Sequence, residues 1–143
     1  MLASRALVGV AARSLATLDP AVTLPQYRML VLLHTHGDQN VGALADALGI
    51  HPSSATRLCD RMARKGLVVR SPSPTSRREV TVAIARGGRA VVRSVTERRL
   101  AEIEHILAGI TETDRERLID ALAVFATAAD ELPDDAWRLG WSA

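Results

Sequence analysis

The stretch IHPSSATRLCDRMARKGL, residues 50–67, decides the fold. Read at 100° per residue, it predicts an amphipathic helix of about four turns, with Pro52 in the first turn and Gly66 at the C-terminal stop. Its apolar face carries Ala55, Leu58, Cys59 and Met62. Its opposite face carries Ser53, Arg57, Asp60 and Arg64. Hydroxyls and guanidinium groups are the donors that contact base edges and phosphates, so this opposite face is typical of a helix that binds DNA.

This helix lies within a strongly basic segment of the chain. Residues 51–99 hold twelve Lys and Arg against three Asp and Glu, a net charge of +9. Residues 100–143 hold three against ten, a net charge of −7, and residues 1–50 hold three of each. We therefore predict that one surface meets a polyanion. Scattered, solvated charge is the alternative interpretation.

Composition limits the class of protein. A chain of 143 residues fits one domain, or one compact lobe with a partner-binding extension. Aromatic residues make up only 3%, so we expect a core of Leu, Val, Ile and Ala, which favours helices. The single cysteine excludes an internal disulfide and fits a reducing cytoplasm, where we expect the protein to act. No apolar run approaches the roughly 20 residues that span a bilayer.

Helix signals continue on both sides of the opening stretch. We predict a first helix over 3–18, although the Arg-bearing, acid-free N-terminus leaves a targeting peptide open as an alternative. Further helices are predicted over 25–36 and 41–48, with Asn40 as the N-cap of the latter. A short helix, a Gly-containing turn and a second helix with a basic outer side form the helix-turn-helix pattern.

A hairpin is predicted directly after the second helix of this pair. LVVRS (67–71) and EVTVAIA (79–85) are rich in β-branched residues and are separated by a proline-containing turn. Arg77 and Arg78 lie at its tip, where they can reach the narrow minor groove beside the major groove that the helix enters. The hairpin therefore predicts a wing.

Two more helical patterns, over 86–110 and from 111 to Pro133, complete the chain. We predict a mainly α fold with a small β-hairpin wing, that is, a winged helix-turn-helix plus a helical dimerisation layer. The predicted units are residues 1–36 (dimerisation and support), 37–86 (DNA binding) and 87–143 (dimerisation). The apolar stripes of the first helix and of the last two helices exceed what one subunit can cover, which favours a homodimer. Two-fold symmetry would place the two DNA-binding helices about 34 Å apart.

Three blocks, by their order and spacing, resemble the MarR family of bacterial transcriptional regulators. They are LPQYRMLVLLHTHG (24–37), VGALADALGIHPSSATRLCDRMARKGLVVR (41–70) and SPTSRREVTVAIARGGRAV (73–91). The resemblance implies obligate dimers that bind pseudo-palindromic operators and usually repress. It also implies, for many members, release from DNA by a small phenolic or other lipophilic compound, or by an oxidant.

The resemblance also implies which residues contact double-stranded DNA. Residues 52–65 would occupy the major groove and the wing, residues 72–79, the minor groove. The predicted contacts are Asn40, Pro52, Ser53, Ser54, Thr56, Arg57, Arg61, Arg64, Arg70, Arg77 and Arg78. For Arg61 and Arg64, pairing with Asp46 or Asp60 is the alternative.

Three positions depart from the family pattern. Ser76 replaces the usual wing aspartate, and so offers a neutral hydrogen bond in place of a stronger charge-assisted one. His51 and Ala85 replace the Ser and Thr that commonly cap two of the helices. We expect the helix that follows Ala85 to be weakly capped.

An effector site is implied where the first, second and long fifth helices meet the DNA-binding unit. Its predicted polar residues are Tyr27, Arg28, His34 and Arg86. One alternative function is a winged-helix module that binds protein without sequence-specific DNA binding. Another is a redox-responsive regulator using Cys59, although the place of Cys59 on the apolar face favours a buried thiol. The sequence has no phosphate loop, no nucleophile–base pair and no metal-ligand spacing. We therefore predict that the protein is not an enzyme and that it binds no metal or cofactor.

Overall fold

The computed structural model describes residues 1–16, 18, 21–73 and 80–129. These residues form six helices and three short strands. The helices are α1 (Leu2–Leu15), α2 (Leu24–His36), α3 (Val41–Leu48), α4 (Pro52–Arg64), α5 (Arg86–Leu107) and α6 (Glu112–Ala128). The strands are β1 (Gln39–Asn40), β2 (Val68–Pro72) and β3 (Val80–Ile84). The predicted fold class, mainly α with a small wing, is confirmed. The wing tip and the C-terminal tail lie outside the described residues.

Local sequence explains where most helices begin. The Asn40 Oδ1 accepts from the Ala43 N–H at 2.7 Å and so caps α3, as predicted. At α6 the Thr111 Oγ1 accepts from the Asp114 N–H at 3.3 Å. At α5 the N-cap Ala85 makes no side-chain hydrogen bond, as its methyl group requires. The helix starts are therefore set largely by side chains adjacent to the first turn.

The end of α4 agrees with its sequence signals, whereas α1 and α5 end earlier than their apolar patterns predicted. The helix of the opening stretch covers Pro52–Arg64, and Gly66, with φ +67° in the left-handed region, stops it as predicted. The first helix ends at Leu15 rather than at 18, and α5 ends at Leu107 rather than at 110. Periodicity did not mark the ends of α1 and α5, because apolar residues continue beyond both of them.

The sheet has three antiparallel strands in the order β1–β3–β2. The predicted hairpin is confirmed by the β2–β3 register, in which Val68 pairs with Ile84 and Arg70 with Val82. Strand β1 was not predicted; its Gln39 pairs with Val82 and its Asn40 with Thr81. The wing is therefore joined to the start of α3 as well as to α4.

One aliphatic and sulfur-containing core joins these elements. Its fully buried side chains come from α2, α3, α4, β3 and α5, and they include Met29, Leu30, Leu33, Leu44, Cys59, Met62, Val82, Val92 and Val95. All four residues predicted for the apolar face of the opening stretch are buried. The opposite side of α4 therefore points away from the core.

The terminal helices are covered much less. Helix α1 packs on α5, with an ion pair between Arg13 and Glu102. Helix α6 has no buried residue. Large apolar side chains exposed on α1 and α6 are Leu2, Leu7, Val8, Leu118, Ile119, Leu122, Val124 and Phe125.

Candidate nucleic-acid interface

The outward side of α4 presents the hydroxyl and guanidinium groups predicted from the sequence. Its exposed members are Pro52, Ser53, Thr56, Arg57, Arg61 and Arg64, and Ser54 is half-buried. The buried face of the same helix contacts the core, so the remainder of the chain supports α4 from behind. Within the described residues, Arg61 and Arg64 form no ion pair, and neither predicted partner carboxylate reaches them.

His51 caps α4 although it departs from the family pattern. Its Nδ1 accepts from the Ser53 N–H at 3.2 Å and lies 2.9 Å from the Ser53 Oγ. An imidazole nitrogen can therefore replace the usual hydroxyl acceptor at an N-cap. The interaction also orients Ser53, the first polar side chain of the outward face. Because His51 stands where the family commonly has a serine, the sequence alone did not indicate this cap.

Hydrogen bonds within α4 restrict what its hydroxyls can offer to a ligand. The Thr56 Oγ1 donates to the Pro52 carbonyl oxygen at 3.0 Å. The hydrogen of this hydroxyl is thus already used, which leaves the oxygen lone pairs and the methyl group of this exposed residue for contacts with a ligand. Thr56 can accept from a base amino group or pack on a thymine methyl, the two contacts expected of threonine in a major groove.

Asn40 lies apart from α4, at the end of β1. Its side-chain oxygen is used by the α3 cap, which leaves the amide nitrogen of this exposed residue as its available donor. The predicted DNA contact of Asn40 therefore reduces to its side-chain NH2 group, a donor at the start of the helix-turn-helix rather than on its second helix.

Arg70 is held by the protein itself. This half-buried residue of β2 forms an ion pair with Asp60 of α4, one of the two carboxylates considered as alternative partners of Arg61 and Arg64. The pair joins the base of the wing to the middle of α4. Arg70 can therefore orient the wing.

The tip of the wing lies outside the described residues. It comprises residues 74–79, with Ser76, Arg77 and Arg78. Strands β2 and β3, which lead to it, are paired as far as Pro72 and Val80.

A cavity of about 290 Å³ lies beside the core, between α2, α3 and α5. Its lining residues are Tyr27, Arg28, Val31, Leu32, Ala47, Thr96 and Arg99. Two of the four predicted effector residues, Tyr27 and Arg28, are among them. His34 and Arg86 do not line it, because they lie further along α2 and at the first turn of α5. Thr96 and Arg99 were missed, since the sequence does not reveal which side of α5 faces α2.

Charge within this cavity is dominated by guanidinium groups. Burial raises the pKa of Tyr27, while the charge of Arg99 and a hydrogen bond to it oppose that shift. The Arg99 Nε is buried and has no hydrogen-bond partner among the described residues. With Arg28 also present and no carboxylate in the lining, the cavity is suited to a small molecule that combines an apolar body with an acidic group.

The surroundings of His34 and Cys59 shift the pKa of each toward its neutral form. Burial, and second the charge of Arg89, lower the pKa of His34. Cys59 is fully buried, its Sγ lies 3.8 Å from the Met29 Sδ, and burial raises the pKa of its thiol. Because the thiolate is the reactive form, these surroundings disfavour the redox-sensor alternative.

Among the described residues there is no candidate for a metal site or for a membrane-spanning helix. Within residues 1–16, 18, 21–73 and 80–129, no cluster of three or more His, Cys, Asp or Glu could hold a metal ion. No helix among these residues has the length and apolarity to cross a membrane.

Comparisons with known proteins agree on one family. A family model described as MarR family matches residues 22–80. An uncharacterised HTH-type transcriptional regulator of Mycobacterium bovis is 30% identical over 112 residues, which cover 78% of each chain. The matched regions contain the complete helix-turn-helix.

Solved structures extend the likeness to the whole fold. RV1404 from Mycobacterium tuberculosis is 43% identical, with a TM-score of 0.80 over 92% of this chain and 90% of that one. A variant of MepR from S. aureus, solved bound to an oligodeoxyribonucleotide, is 19% identical, with a TM-score of 0.68 over 90% and 93% of the two chains. The latter is a likeness of fold alone.

Proposed function

Since this chain belongs to the MarR family of transcriptional regulators, we propose that it is a homodimeric repressor that binds pseudo-palindromic duplex DNA. Residues 52–65 enter the major groove, and the wing, residues 72–79, lies in the adjacent minor groove. The observation that carries the proposal is the outward side of α4, where Ser53, Arg57 and Arg64 are all exposed on a helix whose other face is buried.

The charge distribution supports DNA over a protein partner. The net charge of +9 over residues 51–99 includes every cation of α4, and acidic residues are concentrated beyond residue 100. A polyanion would be attracted to the first segment and repelled by the second. A winged-helix module that binds protein would not need this concentration of guanidinium groups beside exposed hydroxyls.

Unpaired apolar surface supports the dimer. Leu118, Leu122 and Phe125 recur along one side of α6, and each is exposed in the single chain. Ile119 and several residues of α1 add to this surface. A second copy would cover these side chains and would set the two α4 helices about one DNA turn apart, roughly 34 Å.

The cavity supports control by a small aromatic or otherwise lipophilic effector with an acidic group. Tyr27, Arg28 and Arg99 would bind the acidic end, and Val31 and Leu32 would contact the apolar body. Because α2 and α3 both line the cavity and both pack in the core beneath α4, a ligand there would act on the position of the DNA-binding helices. Release of DNA is the expected response.

Selection of bound duplexes from a random pool tests DNA binding directly. We expect related pseudo-palindromic sequences, with half-sites about one turn apart. Affinity for the selected duplex should fall steeply with salt, since each neutralised phosphate contributes about −0.9 to the slope of log K against log salt. Recovery of no preferred sequence and a flat salt dependence would favour the protein-binding alternative.

The same selected duplex tests the effector. Adding benzoate or salicylate should weaken binding by the wild-type chain, and Arg99→Met should reduce this response because it removes a guanidinium group from the cavity. Benzyl alcohol provides the uncharged control. If the acids and the alcohol act equally, or if neither acts, the assigned ligand class is wrong.

A further inference from the structure

Lys65 is the only lysine in a chain that has 17 arginines. It is the C-cap residue of α4, directly after the last helical residue. Its Nζ donates to the backbone carbonyl of Ala21 and, at 3.3 Å, to the Oε1 of Gln26. The C-terminal end of α4 is therefore bound to the start of α2. The proposed base contacts lie at the other end of α4.

The acceptor of this bond belongs to a rigid group. Gln26 is only 3% exposed, and its Oε1 also accepts from the Thr23 N–H at 3.0 Å in the cap of α2. One buried oxygen thus receives donors from two elements. The next two residues, Tyr27 and Arg28, line the cavity, so the bond ends on the same turn of α2.

An ammonium group suits this position for two physical reasons. It is compact and directs three donors freely, so it can approach a backbone carbonyl and an amide oxygen together, whereas a guanidinium group is wider and planar. Its charge also lies next to the negative end of the α4 dipole. Lys65 is exposed enough to be taken for a phosphate contact, yet its ammonium group is already bonded within the protein.

We propose that Lys65 is a positioning residue, which sets the orientation of α4 through Gln26 and Ala21 and does not itself contact DNA. The proposal rests on the proposed DNA-binding function. A helix is stiff along its axis, so the bond at its C-terminal end restricts how its N-terminal turns, with Ser53 and Arg57, lie in a groove. Loss of the bond should weaken specific binding without removing a phosphate contact.

The salt dependence of binding separates these two roles. With the duplex recovered by selection, Lys65→Met should weaken binding about 3- to 10-fold and leave the slope of log K against log salt unchanged. Arg64→Met, the matched loss of the neighbouring cation, should reduce that slope by about one if Arg64 contacts a phosphate. If Lys65→Met reduces the slope by about one, or leaves both affinity and slope unchanged, the positioning role is wrong.

The free protein gives an independent test that does not depend on DNA binding. Because Lys65 is the sole lysine, labelling full-length protein with ¹³C,¹⁵N-lysine yields one side-chain Nζ and one Cε resonance. We expect shifts distinct from those of free lysine, slowed exchange of the ammonium protons, and movement of the signal in Gln26→Leu. A signal that matches free lysine and ignores Gln26→Leu would overturn the bond. A wild-type chain that shows the expected signal but selects no duplex would instead contradict the proposed function.

Discussion

Arg57 is the side chain on which base preference should depend most. It is exposed on the first half of α4, one turn beyond Ser53, and a guanidinium group there can bind a guanine edge with two hydrogen bonds. Arg57→Ala should cost about 1–3 kcal/mol at one base position in each half-site and relax the preference there. Binding to a panel of duplexes, each altered at one position, measures this loss.

Arg64→Ala is the appropriate comparison, because Arg64 lies near the other end of the same helix. It should weaken binding to every duplex of the panel by a similar factor, as expected for a phosphate contact. Unchanged affinity and unchanged preference in Arg57→Ala would show that the contact assigned to it is wrong.

His34 should make stability depend on pH. Burial, followed by the charge of Arg89, holds the pKa of His34 below its ordinary value of 6.5 in the folded chain. Its stabilising contribution is therefore complete above pH 6.5 and is lost as the pH falls through the lower pKa of the folded state. Thermal unfolding of wild type and His34→Gln between pH 7.5 and 5 should show a steeper loss of Tm on acidification in the wild type.

His36→Gln is the matched control, since His36 is exposed at the end of the same helix. This variant should retain the pH dependence of the wild type. An acid-induced loss of Tm that is equal in the wild type and in His34→Gln would contradict the role assigned to His34.

At this scale, the sequence predicts which side chains of α4 are buried but not what the polar ones contact. Ala55, Leu58, Cys59 and Met62 repeat at helical spacing, so local geometry alone places them together. The bond from Lys65 to Gln26 spans 39 positions and depends on how α4 packs against α2. Similarly, the Asp60–Arg70 pair depends on the direction in which the chain leaves α4.

Among the elements, the approach of α5 to the DNA-binding unit depends on a glycine. A Cβ built on Gly88 would lie 2.2 Å from the Leu67 backbone oxygen and 2.7 Å from the Leu30 Cδ2. Gly88→Ala improves intrinsic helix propensity by up to about 1 kcal/mol, yet the backbone clash should dominate. We expect a net destabilisation of about 1–3 kcal/mol, measured by urea unfolding.

Gly109→Ala controls for the removal of a glycine beside the same helix. Its Cβ would lie 3.5 Å from the Ile106 oxygen, an ordinary contact. The free energy of unfolding should change by less than about 1 kcal/mol. If both variants are equally stable, α5 can move away from Leu67 at little cost, and the close approach is not a constraint.

The elements that could be predicted are those whose signals lie in their own sequence, and the ones missed depend on distant residues. Helices α1 to α6 and the β2–β3 hairpin have periodicity, caps or turn residues within their own sequence. Strand β1 has two residues and exists only because β3 pairs with it, so no local pattern indicates it. Of the four residues predicted for an effector site, Tyr27 and Arg28 line the cavity and His34 and Arg86 do not, since the lining depends on how α5 packs against α2.

For the whole molecule, the central question is what covers α6. Phe125 is 69% exposed and lies on the same side of the helix as Leu118 and Leu122. Fully burying one such side chain contributes about 1.5–3 kcal/mol, and two-fold symmetry doubles each contribution. Single exposed apolar residues are common on soluble proteins, but a row of them along one helix side indicates an interface.

Phe125→Asp should therefore convert the proposed dimer into a monomer or an aggregate, as should deletion of residues 111–143. Val124→Asp is the matched control, because Val124 is 72% exposed on the other side of α6 and receives the same charge. Sedimentation velocity at micromolar concentration should give a dimer for wild type and Val124→Asp only. If Phe125→Asp remains a dimer, the α6 stripe is not the interface. If the wild type is itself a well-folded monomer, each α4 must bind DNA alone, and the selected duplexes should then contain single half-sites rather than pairs.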